Sequence, residues 1–427
     1  MDINFTTASF KDFENIPGKD AYERALVFNN YLQFLADRGH LNYRLLSLTG
    51  CGPEMELITP ARPKPARYVS LVSNDYLGFT QHPEIKKAVI RGIEKYGTGA
   101  GASPAIGGHY LYHEELERKI AAFFGREAAI LYTTGYTANS ATLMCLLKKE
   151  DIAIVDMAVH ASVYEGILNT TNCRQFLHNR LDVLERMLID AKDKYRTKLV
   201  IIDGVYSQDG DLAPVREILD LCHKHHAYLM VDDAHGVGVV GAHGRGVLEA
   251  GHLLQDVDII TGTLSKTFAG IGGYVVGSYE LINMLKFQSR QHLFSVTASP
   301  SALGLIRAIE LIDEEPFWRK RLWDNIHYLK AGLISMGLDI GTTASAIIPV
   351  KIGDQVKTGE AGRLLLEAGV YANPIIYPAV SRKNARVRLS IMATHTREHL
   401  DRVLNAFDTI NQRLHISVNE NPEHYGN

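Results

Sequence analysis

The sequence predicts an α/β fold with a largely parallel central sheet, followed by a smaller α+β domain. Short apolar runs alternate with helical segments between residues 128 and 278, which is typical of a parallel sheet covered by helices. The runs are continuously apolar rather than alternating, as in strands buried on both faces. From about residue 300 this rhythm changes to long amphipathic segments with short strands. We therefore divide the chain into an N-terminal extension (1–65), an α/β domain (66–300) and an α+β domain (301–427).

The composition limits the class of protein. With 427 residues, 46% hydrophobic and 22% charged, the chain is large enough for two or three domains and typical of globular proteins. Its net charge of −3 gives no electrostatic reason to expect a nucleic-acid partner. The four cysteines lack paired spacing, the N-terminus lacks a signal-peptide pattern, and no run of 18 apolar residues occurs. We expect a cytoplasmic enzyme without disulfides and without a membrane span.

The individual elements follow in chain order. YERALVFNNYLQFLADRG predicts a helix in the extension, and ITPARPKPARYV suggests a proline-rich linker. HPEIKKAVIRGIEKYG predicts a helix that begins at Pro83 and ends at Gly97, and HEELERKIAAFFG predicts one that ends at Gly125. The predicted central strands are AAILYTT, DIAIVDMAVH, KLVIIDGVYS, AYLMVDDAHG, VDIITGTLSK and GGYVVGS. The predicted C-terminal elements are helices LGLIRAIELIDEE, FWRKRLWDNIHYLKAGLISMG, GEAGRLLLEAG and REHLDRVLNAFDTINQRL, strands AIIPVKIG, VYANPII and RVRLSIM, and a frayed tail.

A glycine-rich stretch, GVGVVG at 236–241, matches the dinucleotide-binding pattern G-x-G-x-x-G and follows a predicted strand. Asp256 and Asp258 lie roughly where a dehydrogenase would place its ribose-binding acid. That pattern must open a helix, however, and the following GAHGRGVLEAGH contains four glycines, each of which costs about 1 kcal/mol inside a helix. We therefore favour a tight, close-packed turn over a dehydrogenase site.

Polar side chains cluster at the predicted ends of the central strands, which is where open parallel sheets bind ligands. These residues are Thr133, Thr134, Gly135, Tyr136, His160, Ser207, Asp232, His235, Thr263, Ser265 and Lys266. A helix beginning near Gly135 would offer its first N–H groups to a phosphate. The hydroxyl groups could add further donors.

This set of groups is the one that pyridoxal phosphate (PLP) requires. A carboxylate pairs with the pyridine nitrogen so that the ring acts as an electron sink. An imidazole can stack on the ring. A lysine can form a Schiff base and then act as a base, for which the pKa of its amine must be depressed. Lys266, in the stretch TGTLSK, is the candidate.

Six motifs in order resemble those of the α-oxoamine synthases: SNDYLGF, YGTGAGAS, DGVYSQDGD, VDDAH, GTLSK and RVRLSIMATHT. These are fold-type I PLP enzymes with an aspartate-aminotransferase-like fold. They include 5-aminolevulinate synthase, 8-amino-7-oxononanoate synthase, 2-amino-3-ketobutyrate ligase and serine palmitoyltransferase. The resemblance extends from residue 73 to residue 396. It implies PLP as the cofactor and a homodimer with active sites at the subunit interface.

The resemblance implies catalytic roles for four residues. Lys266 would form the Schiff base and remove the Cα proton, Asp232 would pair with the pyridine nitrogen, and His235 would contact the ring hydroxyl. His160 would stack on the ring and help to orient the substrate. From the residues alone, His160 could instead be a strand-end histidine bonded to backbone, and Asp232 or Asp233 could cap a helix.

Other matching residues would surround the cofactor. Gly135 and Tyr136 would form the loop beside it. Ser207 and Thr263, with the neighbouring hydroxyl of Ser265, would reach the ring or the phosphate. Ser207 could equally be a simple turn residue.

The remaining matches concern the substrate and the partner subunit. Thr297, in FSVTAS, would reach the phosphate of the neighbouring subunit. Asn74 and Arg388 would hold the amino-acid carboxylate, for which a planar guanidinium is suited; Arg386, on the same predicted strand face, is the alternative. The histidines of CHKHH at 222–226 fall at the end of a predicted helix, where they would complement its dipole, so we expect no metal.

The implied reaction is a decarboxylative Claisen condensation of an amino acid with an acyl thioester, carried by CoA or an acyl carrier protein, to give an α-aminoketone. The stretches MATHT and ANPIIYPAV look most like those of bacterial serine palmitoyltransferases. We therefore expect L-serine and a long-chain thioester such as palmitoyl-CoA. The product would be 3-ketodihydrosphingosine, an intermediate of sphingolipid biosynthesis.

One segment departs from the family pattern S-R-x-x-N-G-T. The chain has SPAIGGH, with Pro104, Gly107 and His109 at the distinctive positions. In the family this segment lies near the amino-acid pocket, so other donors stay open: cysteate for sulfonolipids, glycine or alanine, or the donor of an aminoketone signal. A fold-type I aminotransferase or decarboxylase would use the same lysine, aspartate and histidine, but SNDYLGF and MATHT argue against it. A non-enzymatic binding module would not need these groups.

Overall fold

The computed structural model describes residues 3–41, 43–59, 62–168 and 172–417. The chain forms two compact units. The first, which we call the composite unit, comprises residues 1–73, 324–343 and 347–427. The second, the sheet unit, comprises residues 74–323 and 344–346.

The described strands are β1 (Leu46–Ser47), β2 (Glu54–Thr59), β3 (Arg62–Ser70), β4 (Ala128–Tyr132), β5 (Ile152–Asp156), β6 (Asn172–Phe176), β7 (Lys198–Asp203), β8 (Tyr228–Asp232), β9 (Ile259–Thr263), β10 (Gly273–Gly277), β11 (Ile347–Gly353), β12 (Val370–Tyr371), β13 (Asn373–Ile375) and β14 (Ala385–Ser390). The described α-helices are α1 (Ala21–Asp37), α2 (Pro83–Tyr96), α3 (Leu111–Phe124), α4 (Gly135–Leu146), α5 (Ala161–Ile167), α6 (Leu181–Ala191), α7 (Val215–Lys224), α8 (Val247–Ala250), α9 (Tyr279–Gln288), α10 (Arg290–Leu293), α11 (Ala302–Glu314), α12 (Phe317–Ser335), α13 (Gln355–Glu367) and α14 (Arg397–Leu414). Short 3₁₀ turns occur at Phe10–Phe13, Phe79–Gln81, Pro104–Ile106 and Arg382–Asn384.

A seven-stranded sheet in the order β4-β10-β9-β8-β7-β5-β6 forms the centre of the sheet unit. Strand β10 runs antiparallel to both of its neighbours, whereas β9, β8, β7, β5 and β6 pair in parallel. Every residue of β5, β7 and β10 is buried. The mostly parallel sheet with strands covered on both faces confirms the predicted fold class. It also brings the carboxyl ends of β4, β5, β7, β8 and β9 to one edge.

Strand β6 was not predicted from the sequence. Its sequence, NCRQF, has no apolar run, and only Phe176 is buried. It is the outermost strand next to β5, so among the described residues one of its edges has no partner strand. Edge strands need no continuous apolar sequence because solvent reaches them.

The predicted helix ends are confirmed where capping residues mark them. Pro83 opens α2, and Gly97 follows it with φ 83°. Gly125 follows α3 with φ 63°, in the left-handed region. Glycine is suited to this position because it has no Cβ to clash.

The stretch 236–241 forms turns rather than the start of a helix, as expected for a close-packed turn. The completely buried Asp233 leaves no room for a Cβ at Gly236 or at the nearby Gly246. A Cβ on Gly236 would lie 2.0 Å from Asp233 Oδ1, and one on Gly246 would lie 1.8 Å from Oδ2. Burial raises the pKa of Asp233 to about 7, although the backbone N–H of Val247 donates to its carboxylate. Gly236 and Gly246 therefore accommodate a buried acid.

The composite unit contains two small sheets, in the orders β1-β2-β3-β12 and β11-β14-β13. The expectation of a linker at ITPARPKPARYV is wrong, because most of this stretch forms β3, which pairs antiparallel with β2. Pro63 and Pro65 fall in the first part of β3, whereas the described pairing with β12 begins only at Val69. Pro60 lies outside the described residues. Proline is tolerated in a strand where no ladder hydrogen bond is needed from its nitrogen. The expected C-terminal helices and the strands AIIPVKIG and RVRLSIM are present, whereas VYANPII forms two short strands, β12 and β13, in different sheets. The predicted frayed tail lies outside the described residues beyond residue 417. No described helix is long and apolar enough to cross a membrane.

Candidate active site

A pocket of about 230 Å³ lies at the edge of the sheet where the parallel strands end. Ten of the eleven residues predicted at the strand ends line it, all except Thr133: Thr134, Gly135, Tyr136, His160, Ser207, Asp232, His235, Thr263, Ser265 and Lys266. The fold thus brings together groups that are widely separated in the sequence. Asn139 and Asp203 also line the pocket and were not among the predicted site residues.

Lys266 follows β9 and lies in a chain of hydrogen-bonding groups. Its Nζ is 2.9 Å from Nε2 of His235. The other ring nitrogen of His235, Nδ1, is 2.6 Å from the hydroxyl of Tyr76. Tyr76 is completely buried and belongs to the motif SNDYLGF. The lysine therefore contacts an imidazole whose orientation is fixed by the contact of its other nitrogen with Tyr76.

Asp232 ends β8 and is held in one orientation by two donors. Nδ2 of Asn139 donates to Oδ2 of Asp232 over 2.6 Å, and the backbone N–H of Ala234 donates to Oδ1 over 3.0 Å. Asn139 is itself oriented by the hydroxyl of Thr261, which donates to its Oδ1 over 2.7 Å. Asp232 therefore presents a carboxyl group of fixed orientation to the pocket.

The N-terminus of α4 and two hydroxyl groups form a cradle for an anion. Thr134 caps the helix by accepting a hydrogen bond from the backbone N–H of Thr137 over 3.0 Å, while Gly135 and Tyr136 occupy the first turn. The first N–H groups of a helix have no partner within it and attract negative charge. The hydroxyls of Thr263 and Ser265 lie 2.7 Å apart beside this turn.

His160 precedes α5 and caps it. Its Nδ1 lies 2.8 Å from the hydroxyl of Ser162 and 3.3 Å from the backbone nitrogen of the same residue. The ring meets that of Tyr136 edge to face, with centroids 5.9 Å apart. Burial lowers the pKa of His160. The charge of Asp232 opposes this shift by raising the pKa, and the charge of Lys266 lowers it further. A neutral imidazole results, which suits a group that stacks on a ring.

The ends of β7 and β5 carry two further acids, Asp203 and Asp156. Asp203 is directly opposite Asp232 in the register of β7 and β8, and burial followed by the charge of Asp232 raises the pKa of Asp203 well above its ordinary value. Asp156, at the end of β5, is completely buried and lies 3.0 Å from Nδ1 of His178. Nε2 of His178 lies 2.9 Å from Asp211. We call the contacts of His178 with Asp156 and Asp211 the His178 clamp. The clamp joins the end of β5 to the loop that carries Ser207.

Three of the residues implied by the resemblance do not line the pocket. Thr297 is nearly buried, and its hydroxyl lies 3.2 Å from Nε2 of His113. Oδ1 of Asn74 lies 3.3 Å from the hydroxyl of Tyr76. Arg388 lies on β14 in the composite unit, where its Nη1 donates to the hydroxyl of Ser390 over 2.7 Å.

The alternative, Arg386, is 3% exposed, and its Nε donates to the carbonyl of Asn384 over 2.9 Å. Arg388 is half-buried. The roles suggested for Asn74, Thr297 and either arginine stay predictions.

The pocket fits PLP by the chemistry of its groups. It provides a lysine amine, an anchored carboxylate, a neutral imidazole and a helix N-terminus flanked by hydroxyls. The small residue at the cradle is also required, since a Cβ on Gly135 would lie 2.7 Å from the Cβ of Thr263.

Sequence reasoning missed Asn139 and Tyr76. Asn139 lies four residues after Gly135, one turn along α4, so helical spacing could have pointed to it. Tyr76 lies 159 residues before His235, and nothing in the local sequence indicates that contact.

Comparisons with known proteins agree with this chemistry. A profile of the family "Aminotransferase class I and II" matches residues 66–407. The 8-amino-7-oxononanoate synthase of Thermoanaerobacter pseudethanolicus is 43% identical over 82% of this chain and 89% of its own length. That of Alkaliphilus metalliredigens is 41% identical over 88% of this chain and 94% of its own. Among solved structures, serine palmitoyltransferase from S. paucimobilis, with a bound PLP–myriocin adduct, is 30% identical and superposes with a TM-score of 0.87 over 93% of this chain and 100% of that one.

Proposed function

The chain belongs to the class I and II aminotransferase family and, within it, to the PLP-dependent α-oxoamine synthases, and from this premise we propose that it condenses L-alanine with an acyl thioester. The single observation that carries the choice of alanine is the 43% identity to an 8-amino-7-oxononanoate synthase over 89% of that protein. The product name specifies an amino group on carbon 8 and a ketone on carbon 7 of a nine-carbon acid. Carbons 8 and 9 with the nitrogen correspond to alanine, and carbons 1 to 7 to a pimeloyl thioester.

Each residue of the pocket would have a separate role in the reaction. When bound, PLP withdraws electrons from the α-carbon of the amino acid. Lys266 would take the proton from that carbon and later return one, with His235 beside its Nζ. Asp232 would hold the proton on the ring nitrogen, and Asn139 would keep Asp232 oriented. His160 would cover the ring face.

The overall reaction balances without a further reactant. The α-carbon of the amino acid forms a bond to the thioester carbonyl carbon, and the thiol leaves. The carboxylate leaves as carbon dioxide, and one proton returns to the carbon that lost it. Asn74 and Arg388 would hold the carboxylate before it leaves, as expected from the motifs.

The segment that departs from the family pattern supports a small, uncharged side chain on the donor. Pro104 begins a 3₁₀ turn, and Gly107 follows it with φ 104°. Nε2 of His109 lies 2.7 Å from Oε1 of Glu114, so its imidazole is already engaged with a carboxylate. A sulfonate or carboxylate on the donor side chain would need a cation, and this segment supplies none beyond that paired histidine.

L-Serine with a long-chain thioester is the second candidate. The TM-score of 0.87 against serine palmitoyltransferase favours it, as do the stretches MATHT and ANPIIYPAV. The two donors differ by one hydroxyl group. A pocket that binds serine should reject alanine strongly, since the partner of that hydroxyl would be left unpaired, whereas a pocket for alanine discriminates weakly.

Exchange of the α-proton tests the donor. The purified holoenzyme would be incubated in D₂O with L-alanine, L-serine, glycine or L-cysteate, without a thioester, and followed by proton NMR. Pimeloyl-CoA and palmitoyl-CoA, then the same acyl groups on an acyl carrier protein, would be added and the products weighed by mass spectrometry. The Lys266→Ala variant is the control, because it lacks the proposed base.

We expect saturable exchange with L-alanine and a product of the mass of 8-amino-7-oxononanoate. Exchange confined to L-serine, with 3-ketodihydrosphingosine as the product, would replace the donor and keep the reaction class. Exchange without any condensation product would contradict the proposed reaction itself.

Because Thr297 lies outside the pocket, we also propose a homodimer in which Thr297 of each subunit reaches the phosphate bound by the other subunit.

A further inference from the structure

Ser207 lines the pocket from a short loop after β7, which we call the Ser207 loop (205–212). The first and last residues of this loop pair in an isolated antiparallel bridge. Between them, the backbone N–H of Tyr206 donates to the carbonyl of Asp211 over 3.1 Å. These bonds shape the loop, but they join it only to itself. Its place at the pocket therefore depends on contacts made from outside.

His178 makes such contacts from the edge of the sheet, where it follows β6. Its Nδ1 lies 3.0 Å from Oδ1 of Asp156, and its Nε2 lies 2.9 Å from Oδ2 of Asp211. The ring of His178 also meets that of Tyr206 edge to face, with centroids 4.3 Å apart. His178 thus contacts both arms of the Ser207 loop. Asp156, on the other side of the ring, ends a strand that is buried throughout.

The two contacts of His178 with carboxylates require a protonated ring. A neutral imidazole has one N–H and one lone pair, so in either tautomer the lone pair would face a carboxylate oxygen. The protonated ring donates at both nitrogens, and hydrogen bonds between charged groups are stronger than neutral ones. Burial lowers the pKa of His178, but the hydrogen bonds to Asp156 and Asp211, together with their charges, raise it to about 10. The ring is therefore a cation at neutral pH.

We propose that His178 is a positioning residue for Ser207: it fastens the Ser207 loop to the end of β5 and thereby keeps Ser207 at the pocket. His178 is not among the described residues that line the pocket, so it acts through the loop. Ser207 is then a ligand of the cofactor and not a simple turn residue. The inference rests on the proposed binding of PLP in this pocket, but not on the identity of the amino acid or the thioester.

A double-mutant cycle of His178→Gln and Ser207→Ala tests the proposal. The dissociation constant of PLP would be measured by titration after the cofactor is removed from the purified holoenzyme. His225→Gln is the matched control, because Nε2 of His225 also lies near a carboxylate, 3.4 Å from Oε1 of Glu185, and His225 is outside the pocket. Hydrogen–deuterium exchange of residues 205–212 would be followed without PLP, and thermal unfolding would monitor the fold.

We expect His178→Gln and Ser207→Ala each to raise the dissociation constant of PLP about fivefold, as for the loss of one hydrogen bond. The double variant should also show a rise of about fivefold, because His178 acts only through Ser207, whereas independent effects would multiply to about 25-fold. Exchange in residues 205–212 should become faster in His178→Gln and stay at the wild-type rate in His225→Gln. A merely structural role for His178 would lower the melting temperature without this coupling to Ser207.

Three results would each overturn the proposal: independent effects in the double variant, a Ser207→Ala variant that binds PLP as tightly as wild type, or unchanged exchange in His178→Gln. If His178→Gln does not fold, Asp211→Asn takes its place in the cycle, because it removes the charge of the loop acid and leaves Asp156 beside the ring. A wild type that does not bind PLP would overturn the proposed function as well. Absence of coupling in a protein that binds PLP would overturn the role of His178 alone.

Discussion

The composite unit contains a cavity of about 1420 Å³, whereas the pocket that holds Lys266 in the sheet unit measures about 230 Å³. The large cavity is lined by aromatic rings and by exposed arginine side chains whose guanidinium groups lie over those rings. Arg38 lies 3.7 Å from the centre of the Phe34 ring, and Arg382 lies 4.6 Å from that of Tyr377. Its acid, Asp354, accepts a hydrogen bond from the backbone of Lys357 as the cap of α13.

The small pocket differs in how its polar groups are held. Asp232 has directed donors from Asn139 and Ala234, and His235 is hydrogen-bonded on both ring nitrogens. Catalysis depends on groups that already point where charge develops, not on the room around them. Preorganised polar contacts, rather than volume, therefore distinguish the chemical site from the large cavity. Mutations in the two regions test this difference.

Replacement of Lys266, in the small pocket, should lower turnover more than any other change described below. We expect Lys266→Ala to lower turnover by about a thousandfold or more, because the amine is both the attachment point and the base. The absorbance spectrum of the bound cofactor should change as well. Turnover and the spectrum are both measured on the purified holoenzyme. An unchanged spectrum would contradict the assignment of PLP to this pocket.

The contact between Asn139 and Asp232 tests whether orientation matters as much as charge. In Asn139→Ala the buried carboxylate loses a donor at 2.6 Å, which should weaken PLP binding roughly tenfold. Asn139→Asp would place a second acid there and should weaken it further. Fluorescence titration with PLP measures both. An Asn139→Ala variant that binds PLP as tightly as wild type would show that Asp232 does not need this partner.

The clamp at His178 should affect stability more than turnover. Burial lowers the pKa of His178, but the hydrogen bonds to Asp156 and Asp211, together with their charges, raise it to about 10. Since the folded-state pKa lies above the ordinary value of 6.5, the stabilisation is complete below about pH 6.5 and is lost as the pH rises toward about 10. We expect His178→Gln to cost about 2 kcal/mol of unfolding free energy at neutral pH.

Denaturant unfolding of wild type and His178→Gln at a series of pH values measures this dependence. The difference between the two proteins should shrink as the pH rises. A constant difference from pH 6 to pH 10 would mean that the charge of His178 does not contribute.

The smallest effect is expected in the large cavity. Arg38→Ala removes an exposed cation from the face of Phe34 and should cost about 0.5 kcal/mol of stability. The dissociation constant of PLP should not change, because Arg38 is not among the residues of the small pocket. Thermal unfolding and PLP titration check the two expectations. A clear loss of PLP affinity would remove the distinction between the two regions.

The sequence alone was sufficient for features that depend on local pattern. Continuous apolar runs identified the buried strands, and Lys266, Asp232 and His235 were found because each follows such a run. Parallel strands place their carboxyl ends on one edge, so the spacing along the chain already implied a shared site. The motifs then pointed to the α-oxoamine synthases.

Other features depended on contacts that no local pattern encodes. The expected linker became β3 because β2 pairs with it, and the glycines at 236 and 246 are required by the carboxylate of Asp233. The donor to Asp232 comes from α4, and the hydroxyl that faces His235 comes from 159 residues earlier in the chain. Hydrophobic periodicity reports which residues are buried, but not which buried polar groups meet. Those partners are chosen only when the chain packs, because a buried donor or acceptor must then find one.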